Sequence, residues 1–300
     1  MITSWLPALS SRRTRITRHL RAIVGERHPD TAPKALTNCA RYLARQFVQH
    51  GWTTKRQPFQ AWGGTYGNIL AIRNPPGRIK KDGRAPILVG AHYDTVVDSP
   101  GADDNASALV VLLEVAYRLR RTALRCPVWL SAFCLEEQGL LGSTAFVTRL
   151  KKAEGSIGGA IILECVGYAS DKDGSQQTPP GIPMAIPSFG NFLAIIGNDE
   201  SRGLVATIEQ SAARSVPEFK TLSLAVPGRG ELLPDVRRSD HAAFWDEGFP
   251  AVMLTDTANF RNPHYHQSSD TIDTLDITFL EGVIDTVVAS IEALAGRNRP

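Results

Sequence analysis

The sequence predicts an α/β fold, with an open, largely parallel sheet covered by helices on both faces. Three observations predict it. Short apolar runs alternate with amphipathic stretches of helical period, the pattern of strand–helix–strand units. Runs such as Pro86-Ile87-Leu88-Val89-Gly90 and Ala160-Ile161-Ile162-Leu163 are apolar throughout, as strands buried on both faces must be. The residues able to do chemistry sit where such runs end, which is where function collects in open α/β sheets.

The elements follow in order. Arg12, Arg13, Arg15, Arg18 and Arg21 punctuate Ile16, Leu20, Ile23 and Val24 at near-helical spacing, predicting a solvated helix docked by its aliphatic stripe. A membrane-surface helix or transit peptide is the competing reading. Lys34 to His50 continues amphipathic through Leu36, Ala40, Leu43 and Phe47. A strand from Asn68 to Ile72 ends at the turn signal Asn74-Pro75-Pro76-Gly77, and a polar loop from Lys80 to Arg84 precedes the buried strand that delivers His92 and Asp94. A loop rich in Gly, Asp and Pro leads into a helix from about Asn105 to Arg120, striped by Leu109, Leu112, Leu113, Ala116 and Leu119.

Val128 to Leu135 is the next buried strand, with Glu136-Glu137 at its end; a helix spans Leu140 to Leu150, and Glu164 ends the strand Ala160 to Leu163. Tyr168 to Gly190, rich in Pro, Gly, Ser and Gln, predicts a long surface loop bordering the site. A helix near Leu204 to Ala213, a strand at Leu222 to Ala225, a short helix near His241 to Trp245, a strand from Ala251 to Thr255 and a last helix from about Thr278 to Leu294 complete the chain. Phe189, Phe192 and Trp245 either line a specificity pocket or pack the core.

With 300 residues, 43% hydrophobic and 21% charged, the chain can bury a full core. No low-complexity linker divides it, so one domain over 1–300 is expected, with an N-terminal helical segment at about 12–50. Thirty-three basic against 30 acidic residues, a net +3, is too balanced for a nucleic-acid partner. No run reaches the roughly 18 apolar residues of a membrane span. The N-terminal apolar stretch is short and followed by basic residues, so no signal peptide is expected and a cytoplasmic location follows by default. Cys39, Cys126, Cys134 and Cys165 lack CxxC spacing and read as free thiols, the last three in or beside apolar runs. Composition leaves the oligomeric state open.

Side chains two apart on a strand point the same way, so Asp94 is placed to accept the second ring N–H of His92, fixing its tautomer. A surface His–Asp pair is the plainer alternative. Asp103 and Asp104 stand in a turn before a helix, where such acids ordinarily cap it. Two cations about 3.5–4 Å apart, however, need a bridging carboxylate, and one of this pair is expected to supply it. Glu136-Glu137 are delivered by an apolar strand into a crevice, one to ligate a metal and the other to take a proton from its water. Glu164 ends a wholly apolar strand, where an unpaired carboxylate is costly to bury and a metal relieves the cost. His266, in Asn262-Pro263-His264-Tyr265-His266, supplies a second imidazole. Nitrogen and oxygen donors with few thiolates suit a hydrolytic zinc site, so two zinc ions are expected, with cobalt or manganese compatible with the same donors.

These residues resemble the di-zinc aminopeptidase family of metallopeptidases, which also holds glutamate carboxypeptidases, transferrin receptors and glutaminyl cyclases. The resemblance runs from about Asn68 to the last helix. It rests on an ordered set: His92-x-Asp94, Gly101-Ala102-Asp103-Asp104-Asn105-Ala106-Ser107, Glu136-Glu137-x-Gly139-x-x-Gly142-Ser143, Ser239-Asp240-His241 and Tyr265-His266-x-x-x-Asp270-Thr271. It implies a three-layer α/β/α fold with a mixed, mostly parallel twisted sheet, as in zinc exopeptidases. It implies Asp103 as the bridging ligand with a cis peptide to Asp104, His92 and Glu164 on one zinc, and Glu137 and His266 on the other. Glu136 becomes general base and later acid, Asp94 orients His92, and Tyr265 matches a position that steadies the tetrahedral oxyanion in some members.

The chain departs from the family pattern at three positions. Ala108 replaces the glycine usual after Asp-Asn-Ala-Ser, Glu164 stands where many peptidases have Asp, and His241 stands where some members carry tyrosine. The activity implied is a zinc-dependent exopeptidase, an aminopeptidase acting on a peptide substrate. Glutaminyl-cyclase-like acyl transfer with one zinc is the nearest rival. A non-catalytic receptor-like module is the other, although such relatives lose ligands and all five positions and the base are present here.

Overall fold

The computed structural model describes residues 6–75 and 84–296. The Pro76-Gly77 half of the expected turn and Lys80 to Gly83 of the expected polar loop lie outside the described residues. Eight strands, β1 (Thr53–Ala61), β2 (Gly64–Arg73), β3 (Ile87–His92), β4 (Val128–Phe133), β5 (Gly159–Glu164), β6 (Leu193–Asn198), β7 (Thr221–Val226) and β8 (Ala251–Thr255), make one sheet in the order β1-β2-β4-β3-β5-β8-β6-β7. Its centre, β4-β3-β5-β8, is parallel. The β1–β2 hairpin joins β4 antiparallel, while β6 runs antiparallel to β8 and carries β7 parallel beside it. The sheet is mixed and mostly parallel, as expected.

The helices are α1 (Leu6–Ile23), α2 (Pro33–Gln49), α3 (Ala108–Leu119), α4 (Leu141–Lys152), α5 (Arg202–Ser215), α6 (His241–Asp246) and α7 (Ile277–Ala295). Strand parity sorts the core into two layers. Val89, Ala91, Leu130, Ile161, Leu163 and Leu254 face α1, α2, α3, α5 and α7; Leu88, Phe133 and Ile162 face α4 and α6. Burying each such side chain fully is worth roughly 1.5–3 kcal/mol. On α1, Ile16, Leu20 and Ile23 are buried, and its arginines pair with acids of α7 and α3: Arg12 with Asp285 at 3.0 Å, Arg13 with Glu281 at 3.1 Å and Arg15 with Glu114 at 2.7 Å. Among the described residues no helix is long and apolar enough to cross a membrane.

Two strands lie beyond the sequence reading. β1 is Thr-Thr-Lys-Arg-Gln-Pro-Phe-Gln-Ala on an edge with no buried residue, so it carries no hydrophobic period; β2 pairs with it through Trp62 and Gly63, both at positive φ. β6, by contrast, is an apolar run of the buried-strand kind, masked by the irregular segment before it. The helix expected from Asn105 begins regularly only at Ala108; Ala102–Ser107 is a wide, irregular turn.

From β3 the chain crosses to β4 on one side, then returns past β3 to β5 on the other. Loops leaving β3 and β5 therefore diverge and open a crevice at the carboxyl ends of the strands.

Candidate metal centre

His92 is the last residue of β3 and is buried. The turn that follows is fixed from several sides. Gly101 has φ of 59°, and a Cβ there would lie 2.3 Å from the carbonyl oxygen of Asp104. Asp270 accepts the backbone N–H of Asp103 at 2.9 Å and of Asp104 at 3.1 Å, one on each oxygen. Asn105 donates to the Leu163 carbonyl at 2.9 Å and accepts from the Cys165 N–H at 3.1 Å, tying the turn to the end of β5.

This scaffold puts the Asp104 carboxylate between two imidazoles: Oδ1 lies 3.1 Å from His92 Nε2 and Oδ2 3.0 Å from His266 Nε2. Asp104, not Asp103, occupies the bridging position. Asp103 faces away and is already committed, accepting from the Gly167 N–H at 2.8 Å and from Asn262 Nδ2 at 2.7 Å. The cis peptide likewise joins Asp104 to Asn105, one residue later than expected. Neighbouring residues of an irregular turn aim their side chains apart, and the torsions at Asp104 (φ −103°, ψ 87°) select which one enters the crevice.

Around this pair, Glu164 Oε2 lies 3.4 Å from His92 Nε2 and accepts from Ser239 Oγ at 2.7 Å. Glu137 Oε2 lies 3.3 Å from His266 Nε2, and Glu136 Oε2 3.9 Å from His92 Nε2. Leu135, just before the two glutamates, and His266 itself sit at φ of 63° and 59°. Non-glycine residues rarely adopt such backbone, and those that do cluster at functional sites.

Asp94 corrects a second expectation. Its carboxylate lies 3.8 Å from His92 Nδ1, and the ring nitrogen instead meets the Asp94 backbone carbonyl at 3.2 Å. β3 ends at His92, so strand parity does not extend to residue 94. The freed carboxylate accepts the backbone N–H groups of Glu136 and Glu137 at 3.2 and 3.1 Å, clamping the loop that presents them.

The electrostatics follow from four carboxylates and two imidazoles packed together out of water. Burial, then the charges of Glu164 and Glu137, raise Glu136 well above the ordinary carboxyl range. Burial and Asp104 push Glu137 up to about 7. Burial opposes charge on Asp104 too, but the close approach of the His266 and His92 imidazoles outweighs it and holds Asp104 below its ordinary value. Burial disfavours the charged imidazoles, yet the acids prevail: His92 stands well above its ordinary value and His266 is pushed up to about 10. His92 Nε2, His266 Nε2, Asp104 Oδ1 and Glu137 Oε1 are buried without a properly formed hydrogen bond. Donors that converge but do not bond one another fit a cation between them. The ligand atoms of His92, Glu136 and Glu164, and of His92, Asp104 and Glu137, each fall within 4.8 Å of one another.

The acidic pocket shares Glu164, Arg238 and Tyr265 with a second, apolar cavity. Its walls come from the sheet (Ile196, Leu222, Leu224 and Met253) and from the loop before β6 (Ile182 and Met184). Phe192 lines it, whereas Phe189 is exposed and Trp245 is core, donating to the Ala251 carbonyl at 2.9 Å. Tyr265 stacks on His266 with ring centroids 3.9 Å apart. His241 meets the Val236 carbonyl at 2.6 Å and lines neither pocket. Sequence reasoning missed Arg238 and gave Ser239 and Asp270 no role, although the last two stood inside quoted motifs.

The model of Peptidase family M28 matches residues 68–291. The uncharacterized protein YfbL of Escherichia coli strain K12 is 33% identical over 274 residues, 87% of this chain and 82% of YfbL. Aminopeptidase YwaD of Bacillus subtilis strain 168 is 30% identical over 79% of this chain, which spans 46% of YwaD's own length. Among solved structures, LapB from Legionella pneumophila matches with a TM-score of 0.72 at 20% identity, over 96% of this chain and 72% of LapB. Glutaminyl cyclase from Porphyromonas gingivalis matches at 0.67 and 19% identity, over 94% and 97%. At such identities these two structures speak for the fold alone.

Proposed function

The chain belongs to peptidase family M28, and on that premise we propose that it is a zinc-dependent aminopeptidase releasing large apolar residues from the N-termini of peptides. The observation that carries the reading is the Asp104 carboxylate held between His92 and His266, in an acidic pocket that shares Glu164, Arg238 and Tyr265 with an apolar cavity. Asp104 would be shared by two zinc ions, with His92 and Glu164 on one and Glu137 and His266 on the other. Zinc in such a site supplies Lewis acidity toward a carbonyl and toward water.

The protein's own part follows from its geometry. Glu136 is the acid left over from that ligand set, and its carboxylate, nearly buried in the wall of the same acidic pocket, is placed to take a proton and give it back. As the attacking water's oxygen bonds to the scissile carbon, Glu136 takes its proton; as the C–N bond breaks, Glu136 passes that proton to the departing amine. Tyr265, lining both pockets, donates its hydroxyl to the oxygen of the carbonyl under attack. The apolar cavity receives the first side chain. Its predominantly apolar wall favours an aliphatic or aromatic side chain over the amide of glutamine, which weighs against the glutaminyl-cyclase alternative.

The test is a series of aminoacyl chromogenic amides given to the zinc-supplemented protein. Leu, Met and Phe substrates should turn over faster than Glu or Lys, and chelation should abolish activity. Glu136→Gln should keep its zinc by elemental analysis yet lose at least about 100-fold in kcat. Near-normal turnover by that variant, or ammonia released from N-terminal glutamine in place of amide hydrolysis, overturns the proposal.

A further inference from the structure

We infer that Arg238 is a positioning residue for this site, holding the Tyr265 hydroxyl so that its proton is available to the carbonyl oxygen under attack. The inference rests on the functional reading above and adds to it a residue outside the metal cluster. Arg238 Nη2 donates to Tyr265 Oη at 3.3 Å. Its other terminal nitrogen, Nη1, is anchored on Asn259 Oδ1 at 2.8 Å and on Asp235 Oδ1 at 3.4 Å. Tyr265 is held along its ring by stacking on His266. Ring plane and hydroxyl are thus fixed by two different neighbours, and both Arg238 and Tyr265 line the junction of the acidic pocket with the apolar cavity.

The chemistry of the two groups gives the contact its direction. A guanidinium has only donors, whereas a phenol has one proton and acceptor lone pairs. Once Arg238 occupies a lone pair of Oη, the phenol proton has to point elsewhere. A cationic donor also makes a stronger bond than a neutral one and polarises the O–H it touches. Arg237 cannot substitute, because it is engaged by Asp246 at 2.8 and 2.9 Å and by the Arg229 carbonyl at 2.6 Å.

The test is a double-mutant cycle on the zinc-loaded full chain, with leucine p-nitroanilide as substrate. Arg238→Met should lower kcat by about 10–100-fold, a loss like that of an oxyanion donor, with KM changed by less than about threefold. Tyr265→Phe should cost a similar factor, and the double variant should fall within about twofold of Tyr265→Phe alone. Arg238→Lys, which keeps a single cationic donor, should recover part of the loss and serves in the same cycle if the methionine variant fails to fold. Three results overturn the inference: an unchanged kcat in Arg238→Met, a loss confined to KM, or an equal further loss in the Tyr265→Phe background. The third would mean that Arg238 acts on the substrate directly. Wild-type hydrolysis and the Glu136→Gln result are read separately, so the parent reading can stand while this one falls.

Discussion

At the scale of single residues, Asp103 and Asp104 carry the same functional group and opposite duties. Asp104 reaches both imidazoles, so replacing one of its oxygens should disturb whatever metal the proposed site holds on either side of it. Asp103 points back into the protein, where Gly167, Asn262 and the neighbouring Asp256 use it; burial, then Asp103's charge, hold Asp256 well above its ordinary value. Asp104→Asn should therefore lose most bound zinc by elemental analysis while unfolding much like the metal-free wild type. Asp103→Asn should keep its zinc and lose about 1–3 kcal/mol of stability from weakened buried hydrogen bonds, measured by urea denaturation. The reverse pattern would restore Asp103 as the shared ligand. Residue type alone marked the pair as an acid site. Which member enters the crevice depends on two backbone torsions in an irregular turn, and no pattern of residue types encodes them.

At the scale of elements, the two N-terminal helices are keyed to the site by Arg27, in the segment between α1 and α2. Its buried guanidinium donates to the carbonyls of Tyr93 (2.9 Å), Pro100 (3.0 Å) and Gly101 (3.0 Å) in the loop between His92 and Asp104. It also holds the Ile23 and Gly25 carbonyls at the end of α1 at 2.9 and 2.6 Å. Arg27→Met leaves these acceptors unpaired in a dry site, where each costs about 1–3 kcal/mol. It should lower stability by at least about 3 kcal/mol in denaturant and weaken zinc binding in a calorimetric titration, with Arg27→Lys recovering part of both. Unchanged zinc affinity in a folded Arg27→Met protein would show that the helices brace the fold without shaping the site. Nothing in the sequence distinguished Arg27 from a solvated arginine, because its partners are carbonyls and every residue has one. The legible elements were those whose side chains declare them. Apolar β3, β4 and β5 announced themselves and carried His92, Glu136-Glu137 and Glu164 to the right end of the sheet. Polar, edge-lying β1 did not, and Asp94 was misplaced because the strand period stops at His92.

At the scale of the whole molecule, the helical layers on both sides of the sheet each hold a buried histidine that must stay neutral. His19, on α1, meets the Tyr42 hydroxyl of α2 at 2.7 Å, and burial, then Arg18, lower its pKa to about 4. His241, on α6 across the sheet, packs edge-on to Trp245; burial lowers it to about 4 despite the Val236 carbonyl. In the unfolded chain both titrate near the ordinary value of about 6.5. Between about pH 6.5 and 4 the unfolded state therefore binds more protons, so the stability these residues confer is complete above that window and is lost as pH falls through it. At about 1.4 kcal/mol per pKa unit, each contributes up to about 3 kcal/mol to the acid loss. The metal cluster titrates over an overlapping range, so the comparison belongs in zinc-loaded protein, wild type against the His19→Gln, His241→Gln double variant. Urea midpoints measured from pH 7.5 down to 4.5 should fall more steeply for the wild type, and the two curves should converge toward the acid end. Parallel curves, or imidazole proton signals of these two residues titrating near 6.5 in the folded protein, would show that neither layer is acid-sensitive in this way.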